Sequence, residues 1–283
     1  MLSYSRSTLI GFISLFIWSF SALFANIMIN LPLFELLSVV FCVSSISIFL
    51  KIAIKHDWHK LKQPIALYFI GTIGIYGNDV FYFEAFKHAP TSQVDLINYL
   101  WPIFFVLLSI LVSNEKKKWN HIVGGMISFL GVFWLIKGDN DFIYKPEYLS
   151  GYLFALADAV IWACYMVAAR RYKNTYSEGV AINCIICAVM SILAHISTET
   201  FIIPSSLQML VMVGLGVFSQ GFAYFWWERG IKKGDHILLV NCSYFIPITS
   251  IAILILFGKA PFTLSLIGAS ILVTLGAIIA CAL

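Results

Sequence analysis

The chain is predicted to be an all-α membrane protein: ten transmembrane helices in two inverted five-helix repeats, with both termini on the cytoplasmic side. Three observations predict this. Of 283 residues, 60% are hydrophobic and 11% charged, with a mean hydropathy of +0.90, whereas soluble domains carry roughly 25% charged residues. The basic residues fall on alternate loops. The second half of the chain also repeats landmarks of the first at a constant offset.

A membrane helix needs about 20 mostly apolar residues, because the hydrocarbon core is about 30 Å thick. Ten runs of that kind occur: Thr8 to Met28, Pro32 to Ile52, Ile65 to Glu84, Ser92 to Val112, His121 to Ile136, Gly151 to Ala169, Val180 to Ile196, Leu207 to Trp227, Ile237 to Leu256 and Phe262 to Ala282. Arg6 precedes the first run as in a signal peptide. That run is longer than a signal's apolar core, lacks a clear small-x-small cleavage site, and is expected to stay as the first span. With the N-terminus inside, fourteen of the eighteen Lys and Arg residues fall on inner loops and four (Lys87, Lys137, Lys145, Lys259) on outer loops. Cytoplasmic loops are enriched in Lys and Arg, so the bias orients every span, and one span too many or too few would spoil it. The short loops leave no room for a soluble domain.

All six cysteines lie in the expected spans. Cys184 and Cys187 form a CxxC pair, but their surroundings are apolar and no second pair exists, so they read as small buried hydrophobes. No metal and no cofactor are expected.

Shifting the chain by 145 residues places Gly71 on Gly216, Lys87 on Lys232, Tyr99 on Tyr244, Pro102 on Pro247, Leu130 on Leu275 and Gly131 on Gly276. With one residue of slippage, Trp18 meets Trp162. Five spans per repeat is an odd number, so the second repeat, 141–283, enters the bilayer from the face opposite to the first, 1–140. Such inverted repeats recur in secondary transporters, where rocking one half against the other alternates access to a midplane site. Six prolines lie at span borders or in loops. Pro102 and Pro247 are mid-span at equivalent positions, where a proline removes one helical hydrogen bond. They are expected to act as hinges and to free the carbonyls of Asn98 and Ser243.

The stretch YFEAFKHAPTSQVDLINYLWPIFFVLLSILVSNE, starting at Tyr82, with Gly124 and Gly131 beyond it, resembles the EamA domain. That domain is the repeat unit of the drug/metabolite transporter superfamily. Trp18 and Trp162 in the first helix of each half, the turn from Ala85 to Pro90, the mid-helix proline and Glu115 carry the likeness. In the second half Gly258-Lys259 stands where glycine-glutamate is usual. The segment Ile97 to Pro102 is similar to a branch that exports aromatic amino acids. The resemblance implies ten helices, a central substrate cavity between the halves, and export of amino acids or related metabolites.

An ionisable side chain at mid-membrane costs about 2.5–3.5 kcal/mol on insertion scales and marks a functional position. Asp79, Asp95 and Asp158 are such residues. Asp95 lies one turn before Tyr99, while Asp158 shares a helical face with Trp162 and Tyr165, and Asp79 with Tyr82 and Phe83. Each carboxylate thus accompanies aromatic rings, a combination suited to an amphipathic solute. The candidate substrate-binding set is Trp18, Asp79, Tyr82, Asp95, Asn98, Tyr99, Trp101, Asp158, Trp162, Trp227, Asn241 and Tyr244. Helix packing or interfacial anchoring is the alternative for the aromatics, and Trp58 and Trp119 in basic loops are expected anchors. Asn98 and Asn241 either line the cavity or bond between helices. Glu84–Lys87 and Glu228–Lys232 are spaced for structural ion pairs, and Glu35 is placed to reach the interface. The glycines at 71, 74, 77, 124, 125 and 131 are expected to let helices approach closely.

The expected partners are a small-molecule solute, the lipid bilayer and, as a coupling ion through one of the three aspartates, the proton. Facilitative flow is the alternative. Nucleic acid is not expected, and oligomeric state cannot be read. No P-loop signature occurs, so ATP does not drive the chain directly. A competing substrate class is another metabolite, such as a nucleotide-like methyl donor, or a cationic drug. An intramembrane metalloprotease would need HExxH-type ligands, which are absent. His195, near the outer end of the seventh span, has no expected partner, and no Ser–His dyad is found at depth.

Overall fold

A computed structural model describes residues 2–28, 30–89, 94, 97–113, 119–137, 145–258 and 262–281. Asp95, Glu115, the run Lys116–Lys118 and Lys259 lie outside the described residues. Within them the chain is helical and has no strand. In order the helices are α1 (Leu2–Trp18), α2 (Ser21–Met28), α3 (Leu33–Ile54), α4 (Ile65–His88), α5 (Trp101–Ser113), α6 (Trp119–Lys137), α7 (Leu149–Arg171), α8 (Val180–Thr198) and α9 (Ser206–Gly214). A π-helical stretch, Leu215–Ala223, then leads into α10 (Tyr224–Lys233), α11 (His236–Cys242), α12 (Phe245–Leu256) and α13 (Leu264–Cys281).

Among the described residues, four stretches are long and apolar enough to cross a membrane: Leu33–Ile54, Pro146–Arg171, Ser177–Thr198 and Ser206–Lys233. A fifth results if α11 and α12, bent by 43° at their junction, are one span. Helix α4 has 24 residues, but Asn78 and Asp79 dilute its apolar run. Turns shorten others: Ser19–Phe20 interrupts the first expected span, and Tyr99–Leu100 the fourth.

The chain divides into two compact units, Met1–Ile75 with Tyr172–Gly234, and Tyr76–Arg171 with Asp235–Leu283. They cut across the sequence halves, each drawing helices from both.

In the first unit α3 packs along α8. Ser45 Oγ donates to the Ala181 carbonyl at 3.0 Å, and Lys51 pairs with Glu178 at 2.9 Å with its ammonium 3.6 Å from the Phe225 ring centroid. At the other end of α3, the Glu199 carboxylate accepts from the Phe34 and Glu35 amides at 3.0 and 3.2 Å. It thereby caps the positive end of the helix. His195 Nδ1 lies 2.9 Å from the same carboxylate. His195 therefore has a partner, contrary to expectation: Glu199, one turn on and just past the helix end. Glu35 is 4% exposed, and its Oε2 accepts from the Ile202 amide at 3.0 Å.

The π-helical stretch lies against α3. There a Cβ on Gly216 would come within 2.8 Å of the Val40 carbonyl, so only glycine permits this approach. Glu228 and Lys232 form the expected ion pair, at 2.6 Å. Lys232 also donates to Thr175 Oγ1 at 3.0 Å and the Tyr176 carbonyl at 3.2 Å, so this buried cation has a complete donor set. Glu84 and Lys87 pair at 2.6 Å.

In the second unit α6 packs on α13. Ser128 Oγ donates to the Val273 carbonyl at 3.3 Å, and these two residues are 145 apart, the repeat offset. Gly124 abuts Gly276, while Gly131 abuts Ala269. Ala269 and Gly276 are the 145-residue equivalents of Gly124 and Gly131. Each glycine thus touches the other's equivalent, as a local two-fold axis at the Ser128–Val273 pair requires. Gly125 has more room: a Cβ there would stand 3.8 Å from Asn241 Oδ1.

The helix breaks lie just before the two mid-span prolines. Helical turns stop at Tyr99–Leu100 and at Ser243–Tyr244. The Ser243 carbonyl, expected to be freed by Pro247, accepts instead from the Ile246 amide at 3.0 Å. A tighter 3₁₀-type bond replaces the missing helical one.

Candidate functional site

The second unit gathers most of the candidate residues. Helix α4 carries Asn78, Asp79 and Tyr82, the helical residues Ile97 and Asn98 precede the Tyr99–Leu100 break, and α5 begins at Trp101. Helix α7 supplies Asp158, Trp162 and Tyr165. Asp158 is fully buried because it faces inward on a helix whose neighbours there are Ala155 and Ala159. Asn78 Nδ2 donates to its Oδ1 and Asn98 Nδ2 to its Oδ2. Both carboxylate oxygens are thereby satisfied, which a buried charge requires. Asp79, next to Asn78 on α4, is 8% exposed.

One turn beyond Asp158, Trp162 packs edge-on against Trp101, with ring centroids 6.4 Å apart and an interplanar angle of 85°. Tyr165 follows at 5.7 Å from Trp162. Trp101 opens α5 and Trp162 lies on α7, so the aromatic pair ties α5 to α7 next to the Asp158 network. Tyr82 is half-buried and packs against Phe83 and Phe86, the latter at 4.5 Å.

Tyr99 packs against a core cluster that contains its repeat equivalent, Tyr244, together with Val132, Ile248 and Val273. Tyr244 is fully buried, and its hydroxyl has no hydrogen-bond partner among the described residues. Asn241, also buried, donates to the Ile237 carbonyl at 2.9 Å. With Pro102 and His121 these two residues line a small cavity. Pro102 and Pro247 stand at the two breaks described above.

Two candidates belong to the first unit. Trp18 packs edge-on against Trp227 at 5.4 Å and against Tyr224 at 5.6 Å. Trp227 is fully buried and Trp18 half-buried. Cys42, Cys164, Cys184, Cys187 and Cys242 are free thiols; Ser44 Oγ donates to Cys184 Sγ at 3.2 Å, so the CxxC pair is knitted into the helix interface. No cluster of three or more metal-ligating side chains occurs among the described residues.

Asn78 was not singled out from the sequence. Its signal was present: an amide at the centre of an apolar run, beside a carboxylate, needs a partner as much as Asp79 does. What the sequence could not show is that the partner is on α7.

The model of the EamA-like transporter family matches the chain twice, over residues 6–137 and 149–281. The chain belongs to this family. It is 35% identical to the aromatic amino acid exporter YddG of Ancylobacter novellus, over 99% of this chain and 98% of that protein. It is 28% identical to the aromatic amino acid exporter YddG of Salmonella typhimurium, over 70% and 69% of the two chains. A crystal structure with 34% sequence identity superposes with a TM-score of 0.93, covering 99% of this chain and 97% of that one. A more distant relative, 22% identical over 65% of this chain and 61% of its own length, is an S-adenosylmethionine uptake transporter of Rickettsia prowazekii. The chain is thus an integral membrane transporter and not an enzyme, and the bacterial inner membrane fits its family and its apolar helices.

Proposed function

We propose that this EamA-family transporter exports amino acids, with aromatic ones as the leading class, by alternating access around a mid-membrane site. The observation that carries the substrate class is the identity to an aromatic amino acid exporter along essentially the whole of both chains. The site chemistry supports it. Trp101, Trp162 and Tyr82 offer ring faces and edges for an aromatic body, and Asp79, Asp158 and Asn98 offer polar groups for its amino end. Trp18 and Trp227, Tyr99, Asn241 and Tyr244 complete the proposed set with Asp95, and Pro102 and Pro247 serve as hinges.

The proposed architecture is ten spans in two inverted five-helix repeats, 1–140 and 141–283, with both termini cytoplasmic. The exchanged contacts about the Ser128–Val273 pair support it, as does the alternation of basic loops. A second reading, transport of a nucleotide-like methyl donor, is favoured by the name of the Rickettsia relative alone.

Thermal-shift screening of the purified protein tests the substrate class. Tryptophan, tyrosine and phenylalanine are expected to raise the melting temperature more than alanine, glutamate or S-adenosylmethionine. A shift from S-adenosylmethionine, with none from the aromatic amino acids, would replace the first reading by the second.

A further inference from the structure

In the first unit, Glu35 and Glu199 sit at the start of α3, and each remaining carboxylate faces a lysine. Asp57 pairs with Lys60 at 2.6 Å, Glu178 with Lys51 at 2.9 Å, and Glu228 with Lys232 at 2.6 Å. The other end of the unit carries four further lysines, Lys55, Lys62, Lys173 and Lys233. All four are exposed, and none has a carboxylate partner among the described residues. Part of this charge converges on one ring. The turn Trp58–Leu61 packs on the turn Ser177–Gly179, and the carbonyl of Tyr176, just before the second turn, accepts from Lys232 of α10 at 3.2 Å. The ammoniums of Lys60 and Lys233 lie 5.9 and 5.5 Å from the centroid of the Tyr176 ring, which the His59 ring meets edge-on at 5.9 Å. An aromatic ring attracts each cation but neutralises neither, so two like charges gathered on one exposed ring favour an anion beside them.

The neighbours of these lysines set their depth. Ile54, directly before Lys55, is 78% exposed, and Ile65, shortly after Lys62, is 87% exposed. On a membrane protein such side chains face acyl chains. Between them Trp58 is exposed, with its ring 6.3 Å from that of Phe49 on α3. Tryptophan is enriched where hydrocarbon meets headgroups. The loop from Lys55 to Lys62 thus leaves the apolar layer and re-enters it at once. Its lysines are at the level of lipid phosphates, with their stems along apolar surface and their ammoniums toward water. A soluble anion would meet the same lysines, but would have no use for the exposed isoleucines and Trp58 beside them.

We propose that the surface around Tyr176 binds the phosphate headgroup of an anionic phospholipid, with Lys60, Lys62 and Lys233 as its cations and Trp58 beside the acyl chains. The proposed orientation puts this surface in the cytoplasmic leaflet, where anionic lipids attract basic clusters next to membrane helices. A headgroup seated there ties the loop after α3 to the end of α10. The inference rests on the proposed placement of this end of the unit among the headgroups. It concerns the lipid and not the solute, so it stands or falls separately from the transport reading.

Two measurements on the full chain test it. In the first, native mass spectrometry follows titration with phosphatidylglycerol or with phosphatidylcholine of the same acyl chains. The wild type is expected to bind phosphatidylglycerol about fivefold or more tighter, since each lysine near the headgroups is worth about fivefold. The variant Lys62→Gln/Lys233→Gln should lose most of that preference. The control Lys137→Gln/Lys145→Gln removes as much charge from other positions and should keep it. Equal affinities in the wild type, an undiminished preference in Lys62→Gln/Lys233→Gln, or an equal loss in the control would overturn the proposal. The second measurement is the thermal shift of the wild type with phosphatidylglycerol or with inorganic phosphate at matched ionic strength. The lipid is expected to raise the melting temperature and inorganic phosphate to leave it unchanged. An equal shift from inorganic phosphate would make this a site for soluble anions and overturn the lipid assignment.

Discussion

A carboxylate buried at the centre of a helix bundle persists only when each oxygen has a donor, and Asp158 meets that condition through two asparagines. The sequence marked Asp158, Asn98, Trp101 and Trp162 because polar and aromatic groups at mid-span are rare and expensive. It did not mark the Asn78–Asp158 bond, since a contact between residues 80 positions apart follows from packing and leaves no local pattern. Truncating Trp162 to Ala removes the edge-on contact with Trp101 and opens a cavity. Losses of about 3–5 kcal/mol are typical of such changes, so the melting temperature in detergent should fall, and Trp162→Phe should recover most of it. In the first unit, Lys232→Met removes the ammonium that pairs with the buried Glu228 carboxylate at 2.6 Å. Breaking a buried pair costs about 3–5 kcal/mol, whereas removing both members is much milder. The double variant Glu228→Gln/Lys232→Met should therefore unfold at a higher temperature than Lys232→Met alone; equal melting temperatures would show that the pair carries no such coupling.

Helix breaks were legible in part. Pro102 and Pro247 identified two of the interrupted spans, but the turns fall a few residues earlier, at Tyr99–Leu100 and Ser243–Tyr244, and the break at Ser19–Phe20 has no proline to mark it. A missing N–H disrupts the preceding turn, and Ile246 recaptures the Ser243 carbonyl with a shorter-range bond. Pro247→Ala restores a donor that competes for that carbonyl. We expect the 43° bend between α11 and α12 to relax and flux to fall, without a lower melting temperature. Unchanged flux would remove Pro247 as a hinge. The π-helical stretch at Leu215–Ala223 had no sequence signal beyond its glycines, because its wider turn answers to the close seat of Gly216 on α3. Of the glycines expected on α6 to permit close approach, Gly124 and Gly131 do, whereas Gly125 has room for a side-chain carbon. Gly276→Leu forces a side chain into the backbone of α6, an overpacking that costs about 1–3 kcal/mol and should show as a lower melting temperature.

At the scale of the molecule, composition alone established a membrane protein, and the match of one family model to both halves accords with the 145-residue offset. The compact units were not legible, because helices from different halves pack together: α3 with α8, and α6 with α13. Orientation rests on the placement of fourteen of eighteen basic residues on alternate loops. Reporter fusions at either terminus should both signal from the cytoplasm; opposite signals would require an odd number of spans. The most direct test of the proposed function is counterflow in proteoliposomes of the purified protein. Vesicles loaded with unlabelled tryptophan should accumulate labelled tryptophan transiently, and should do so much less in Trp101→Ala/Trp162→Ala. No counterflow with any aromatic amino acid, alongside counterflow of an unrelated solute, would contradict aromatic amino-acid export.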